Sequence, residues 1–331
     1  MKARPSSRKA TNQMVFQNLW DTIDQHYGLF GVKTVDWDAL HEEYYERASK
    51  ADTDAGLFDL LAELLSHLKD KHIWLISSDR AWNCRMKASC SLADVDDIRE
   101  AWKAPFSESL VYTRYLHDKT VYAKEIVGGF LNPTVGYLRI TDFPDDTQAV
   151  GEAIDQALQT LGGVKTLVVD VRDNRGGSDR GVKAVADRFA DRRRLFMTTA
   201  MRSGSSRDEL GPPVEWWIEP DGPRQYLNPV ALLINRDTFS SGETFTLAMR
   251  VLPHVTIVGE PTAGAFSDAV DATLPNGWQY TYSIGVCRDA QGNLWEERGF
   301  PPDVVLPLPE DNIASKCDIF LDWVLDHFVK T

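Results

Sequence analysis

Cysteine is scarce in this chain. Only Cys84, Cys90, Cys287 and Cys317 occur in 331 residues. No two form a Cys-x-x-Cys pair, and none has a histidine at zinc-ligand spacing. A zinc ribbon and a disulfide-built scaffold are thereby excluded, and neither a metal nor a cofactor is expected. Free thiols in a reducing compartment are the plainer reading, with a Cys84–Cys90 bridge left open. Long apolar runs are missing as well. No stretch reaches the length of a membrane helix, so no membrane insertion is expected. Met1 to Asn12 is polar and basic and lacks the apolar centre of a secretory leader. A cytoplasmic location is the expectation, a leader already removed being left open. Positive charge is in deficit: 36 Lys and Arg against 49 Asp and Glu give a net charge of −13. Such a chain repels nucleic-acid phosphates, and nucleic acid is not an expected partner. The densest basic run, Arg192-Arg193-Arg194, leads into Leu195-Phe196-Met197 and reads as the start of a strand.

What the chain does have is apolar substance, 43% of its residues including ten Trp, enough to bury a core and to exclude disorder. Its length allows one large or two modest domains. No internal repeat or low-complexity block interrupts it. Val15, Leu19, Ile23 and Tyr27 recur at four-residue spacing and predict a helix over 13–29. Two further helices are expected over Trp37–Ala48 and Ala55–Leu68, with Asp52 in the capping region of the latter. Residues 1–75 thus read as a helical front domain and 76–130 as a small mixed β segment. In the latter, Ile73–Ile76, Leu110–Tyr115 and Val121–Ile126 read as strands, and no Gly-Leu-Gly-Phe loop announces a PDZ insert.

From 131 to 331 strands and helices alternate, the pattern of an α/β core with a mainly parallel sheet. The strands are Val135–Ile140, Thr166–Val171, Pro229–Ile234 and Val255–Val258. The helices are Ala149–Leu161, Gly181–Ala190 and Gly242–Val251. β character returns near Tyr280–Val286, and a last helix is expected over Ile313–Phe328.

In such a sheet ligands gather beyond the carboxyl ends of the strands. Two strand exits carry unusual residues. In Asp170-Val-Arg-Asp-Asn-Arg-Gly-Gly177, the pair Gly176 and Gly177 leaves main-chain N–H groups bare enough to meet a substrate oxyanion. A tight turn before a helix explains the glycines equally well. In Asn235-Arg-Asp-Thr-Phe-Ser-Ser-Gly-Glu243, a serine stands at a strand-to-helix corner where the next N–H lies at the positive end of a helix dipole. A capping box between Ser240 and Glu243 is the plainer account, though a cap and a nucleophile are compatible. A serine nucleophile needs a base. Of the seven histidines, His72, at a helix-to-strand junction, has a slight edge over His67 and His254.

These segments together resemble the family of tail-specific and C-terminal-processing proteases, the tricorn core and interphotoreceptor retinoid-binding protein. Phe16–Tyr27 and Val35–Ala39 are similar to its front helices. Leu68-Lys-Asp-Lys-His72 is similar to its Leu-x-Asp-Gly-His segment, and Val135–Ile140 to its Gly-Tyr core strand. Asp170–Gly177 and Thr238–Glu243 are similar to its Gly-Gly and serine segments, followed by Gly259–Gly264 and Gly299–Asp303. The resemblance implies a crotonase/Clp-like ββα core behind a helical N-terminal domain. It implies Ser240 as nucleophile, with the N–H groups of Ser241 and Gly176 as oxyanion donors and Gly177 close by. Where many members carry a catalytic lysine this chain has Ala265, so the resemblance is to the tricorn-like branch. That branch implies His72 as general base and Glu296 in the catalytic group. Lys71 stands where the branch has a serine before the histidine, and that auxiliary role finds no counterpart. The expected activity is serine-type hydrolysis of peptide bonds in a peptide or protein substrate, with homo-oligomerisation left open. The rival is a non-proteolytic binder of hydrophobic ligands on the same fold; a crotonase-type acyl-CoA enzyme is a third class that needs no serine at the helix corner.

Overall fold

The computed structural model describes residues 10–78, 83–85, 108–306 and 317–328. Residues 1–9, Cys90 and the expected first turn of the last helix lie outside them. So does part of the span on which the expectation of no PDZ insert rests. The chain divides into two compact units, neither contiguous in sequence. One takes Met1–Trp102, Ala200–Pro213 and Ser267–Val286, the other Lys103–Thr199, Val214–Phe266 and Cys287–Thr331.

The first unit opens with three capped helices. Thr11 caps α1 (Asn12–His26), Asp36 caps α2 (Trp37–Ser49) and Thr53 caps α3 (Asp54–Ser66). Each cap accepts a backbone N–H of the first turn, which otherwise has no intrahelical partner. The four-residue spacing in α1 buries Val15, Leu19 and Ile23, and Trp20 stacks on Trp37 with centroids 4.4 Å apart. Arg207, from the second segment, joins α1 to α2: its Nε donates to Asp24 (2.6 Å) and its terminal nitrogens to Asp38 (2.8 and 2.6 Å). The third segment supplies β11 (Ala269–Thr273) and β12 (Gln279–Ser283). These pair with β1 (Trp74–Ile76) and β2 (Asn83–Arg85) in the order β11-β12-β1-β2, all antiparallel.

The second unit is built on a seven-stranded sheet. Its strands are β3 (His117–Ala123), β4 (Ile126–Asn132), β5 (Val135–Ile140), β6 (Thr166–Asp170), β9 (Val230–Ile234), β10 (Val255–Gly259) and β14 (Val304–Val305). Their order is β14-β10-β9-β6-β5-β4-β3, parallel from β14 to β5 and antiparallel beyond. Both faces are covered, which is why β9 is apolar throughout and β6 at every position but its ends. Leu167, Val169, Leu232 and Ile234 join the core under α4 (Thr147–Leu161), α5 (Asp179–Ala186) and α6 (Ser241–Arg250). Val168, Ala231 and Leu233 face the opposite way, toward Phe320, Leu321 and Val324 of α7 (Ile319–Phe328). A small sheet of order β13-β7-β8 completes the strands, from β7 (Arg194–Met201), β8 (Val214–Ile218) and β13 (Gly285–Asp289). The α/β class with a helical N-terminal region and a central sheet is therefore the architecture observed.

Two strand expectations fail locally. Leu110–Tyr115 is helical, a turn at Glu108–Leu110 widening into a π turn over Val111–Tyr115. A short apolar run fits either period. Here Val111 and Tyr115 face one cluster, and the Tyr115 hydroxyl donates to Asp322 (2.8 Å). Val121–Ile126 is two strands rather than one, because Lys124 and Glu125 form the turn between β3 and β4.

The Asp170 motif also stiffens the second unit. Arg172 is 2% exposed and bridges Asp170 (2.6 Å) and Asp318 (2.9 Å), fastening the start of α7 to the end of β6. Burial works to raise Asp170, but Arg172 and Arg139 hold its carboxyl below the usual range.

Candidate active site

Strands β6 and β9 are parallel neighbours, so the loops leaving their carboxyl ends lie side by side. Hydrogen bonds lace them together. Asn235 Oδ1 accepts from Asp173 N (3.0 Å) and Asn235 Nδ2 donates to Asp173 Oδ1 (2.7 Å). Thr238 Oγ1 donates to the Val171 carbonyl (2.9 Å), and Phe239 N donates to the Asn174 carbonyl (2.9 Å). Asn174 is fully buried and anchors the turn between them, its Nδ2 donating to the Ile140 carbonyl (3.0 Å).

At the end of the β9 loop, Ser240 takes φ 54° and ψ −124° just before α6. Only a handful of non-glycine residues described here have positive φ. Such a conformation costs about 1–3 kcal/mol and persists only when its surroundings impose it. Glu243 supplies part of that constraint by accepting the Ser240 N–H (3.2 Å).

The glycine pair runs directly past this serine. A β-carbon on Gly176 (φ 104°) would lie 2.7 Å from Ser240 Cβ, 3.1 Å from Ser240 Oγ and 3.0 Å from Ser241 N. Only glycine fits there, so the plainer reading of the pair as a mere turn leaves this approach unexplained. Gly176 N–H is already donated to Asn174 Oδ1 (2.9 Å). The expected donor at that position is thus committed to holding its own turn. Gly177 N–H and Ser241 N–H, by contrast, have no acceptor among the described residues. The two bare amides beside the serine are therefore those of Gly177 and Ser241, the second at the positive end of α6.

Glu243 is fully buried and gathers four donors. Thr262 Oγ1 (2.6 Å) and Gly264 N (2.6 Å) meet Oε1, while Ala265 N (2.8 Å) and Ser240 N (3.2 Å) meet Oε2. Burial pushes this carboxyl up to about 7 against the pull of those donors. Ala265, where a lysine was looked for, is wholly buried in this clamp. Glu296 is 6% exposed and braces the next residue, its Oε2 accepting from Phe266 N (2.9 Å).

The expected histidine, His72, belongs to the other unit. It is buried there, its N–H donating to Asp70 Oδ1 (2.8 Å) and its carbonyl accepting from Thr281 Oγ1. The alternative His254 precedes Val255 at the amino end of β10, and its carbonyl accepts from Val230 N (2.9 Å). It thus lies a full strand length from the carboxyl ends that carry Ser240. The other alternative, His67, is engaged by the Tyr44 hydroxyl (2.8 Å). Sequence reasoning did not single out Asp179 or Thr262, which fix the site by contacts distant in sequence.

Residues 134–306, just over half the chain, match the model of peptidase family S41, and residues 8–66 match the tricorn protease C1 domain. The chain belongs to peptidase family S41. It is 22% identical to the carboxy-terminal processing protease CtpA of Bacillus subtilis over 58% of this chain and 39% of that protein. To tricorn protease homolog 1 of Streptomyces coelicolor it is 29% identical, over 66% of this chain and 19% of that one. The chain thus spans less than half the length of these curated relatives. Among solved structures, a protein of Parabacteroides merdae is 27% identical with a TM-score of 0.81, covering 96% of both chains. The fold is also shared with mature CPAF complexed with lactacystin (13% identical, TM-score 0.68, covering 96% of this chain and 98% of that one).

Proposed function

We propose that this chain is a serine peptidase that uses Ser240 as nucleophile, the Gly177 and Ser241 N–H groups as oxyanion hole and His72 as general base. The observation that carries the reading is the backbone of Ser240. A helix cap needs no left-handed serine, whereas a nucleophile lifted from the end of a strand does. The two bare amides beside it supply what a tetrahedral intermediate requires.

In the proposed reaction His72 takes the Ser240 proton as Oγ attacks the carbonyl carbon. The developing oxyanion accepts from Gly177 and Ser241, and His72 returns the proton to the leaving amine. Water then hydrolyses the acyl-serine by the same steps in reverse roles. Glu296 supports the group by holding the Phe266 backbone beside the Glu243 clamp. The substrate class is a peptide or protein, in keeping with the names of the processing-protease and tricorn relatives.

Active-site labelling with a fluorophosphonate tests this. The adduct is expected on Ser240 by mass spectrometry, absent in Ser240→Ala and formed far more slowly in His72→Ala. An adduct elsewhere in the wild type, or one surviving in Ser240→Ala, rejects the nucleophile. Undiminished labelling in His72→Ala rejects the base.

A further inference from the structure

The oxyanion hole proposed above is made from two segments 64 residues apart, and a side chain joins them. Ser241 Oγ lies 2.9 Å from the Gly177 carbonyl oxygen and 2.8 Å from Asp179 Oδ1, its one proton shared between the two acceptors in a three-centre hydrogen bond. The residue that offers one bare N–H therefore grips the peptide of the residue that offers the other. Ser241 is 4% exposed, and Asp179, the first residue of α5, is half-buried. In such surroundings a hydroxyl hydrogen bond is strong and directional.

We infer that the Ser241 hydroxyl and Asp179 form a staple that sets the spacing of the two oxyanion donors. Both are thus positioning residues for acyl transfer. The inference rests on the Ser240 reading and adds to it a division of labour: the Ser241 main chain binds the oxyanion while its side chain fixes the partner donor. The geometry accounts for the placement of Asp179. A carboxylate at the first position of a helix is favoured by the dipole, but the helix gains nothing from turning it inward. Burial raises the Asp179 carboxyl above its ordinary range, and the hydrogen bonds from Ser241 and Thr244 oppose that rise. Its inward contacts are hydroxyls of α6, so it ties the start of α5 to the start of α6 at the level of the nucleophile. Gly177 is held from its other side by the segment that leaves β5, where Phe143 bridges to it. A β-carbon there would lie 2.2 Å from the Phe143 carbonyl oxygen, so the peptide is trapped between Phe143 and the Ser241 hydroxyl.

Loss of a whole oxyanion donor costs about 100- to 1,000-fold in rate. Displacing one while leaving it present should cost less, roughly 10- to 100-fold, and should fall on the chemical step. The test uses the full chain with p-nitrophenyl acetate as substrate and a fluorophosphonate as probe. Ser241→Ala and Asp179→Ala are expected each to lower kcat and the phosphonylation rate by roughly 10- to 100-fold with KM within about 2-fold. The double variant should be no worse than the poorer single one, since the two residues act as one device. Asp179→Asn keeps an oxygen for the hydroxyl and should lose less than Asp179→Ala. Near-wild-type kcat in a folded Ser241→Ala, fully additive losses, or Asn no better than Ala would each overturn the staple while leaving Ser240 as nucleophile. A wild-type chain that Ser240→Ala does not distinguish would overturn both. If Asp179→Ala unfolds, Ser241→Ala against Asp179→Asn still decides.

Discussion

Replacing Glu243 by Gln should change how stability responds to pH. The carboxyl is wholly buried, and burial carries it from an ordinary 4.5 up to about 7. Between those values the unfolded chain has released a proton that the folded chain still holds. Glu243 therefore favours the folded state on the acid side. Its contribution is most favourable below about pH 4.5, declines as pH rises through the window to about 7, and is level above it. A displacement of that size corresponds to about 3 kcal/mol. Gln has the same shape and does not titrate, so the comparison cancels every other carboxyl. Urea unfolding of both proteins at intervals from pH 5 to pH 8 is the assay. The wild type should lose about 2.5 kcal/mol relative to Glu243→Gln across that range, most of it before pH 7. A flat difference would refute the reasoning. It would mean that the four donors of Thr262, Gly264, Ala265 and Ser240 outweigh burial and keep the carboxylate ionised throughout.

Three further outcomes are expected. Arg172→Met should destabilise the chain by about 3–5 kcal/mol in chemical denaturation, because it removes the guanidinium that joins the buried Asp170 and Asp318 carboxylates. A loss under about 1 kcal/mol would show that this tie is not structural. Gly176→Ala should reduce fluorophosphonate labelling by about 100-fold or more, since its methyl would sit 2.7 Å from Ser240 Cβ at a φ of 104°. Labelling at the wild-type rate would contradict the close approach. Asp146→Ala should cost about 1 kcal/mol of stability, because the Asp146 carboxylate accepts the Ala149 N–H (3.0 Å) at the start of α4. Hydrogen exchange confined to the first turn of α4 would register the same loss locally.

Local pattern alone determined the elements whose signal is repeated along their own length. The apolar runs of β6 and β9, alternating with helices of about ten or more residues, read as strands covered on both faces, and the four-residue spacing of Val15, Leu19 and Ile23 as one side of a helix. The order of the Gly-Gly and serine segments likewise pointed to the two strand ends that the sheet sets side by side. Edge strands β8 and β11 carried no such signal, being short and partly exposed. The run at Leu110–Tyr115 carried one that fits two periods, and contacts with Asp318 and Asp322, some two hundred residues away, chose between them.

The same division holds at the site. Residue types and spacing pointed to the serine and glycine segments and the family resemblance to Ser240 within them, but hydrogen-bond partners distant in sequence decide what each amide does. Asn174 occupies the Gly176 N–H, which leaves Gly177 bare, and Asp179 reaches Ser241 across 62 positions. Nor could chain order foresee that 200–213 and 267–286 leave the core segment to complete the helical unit. A side chain's hydrophobicity is its own, so periodicity is legible in one dimension. A hydrogen bond belongs to two groups, and only the folded chain says which two meet.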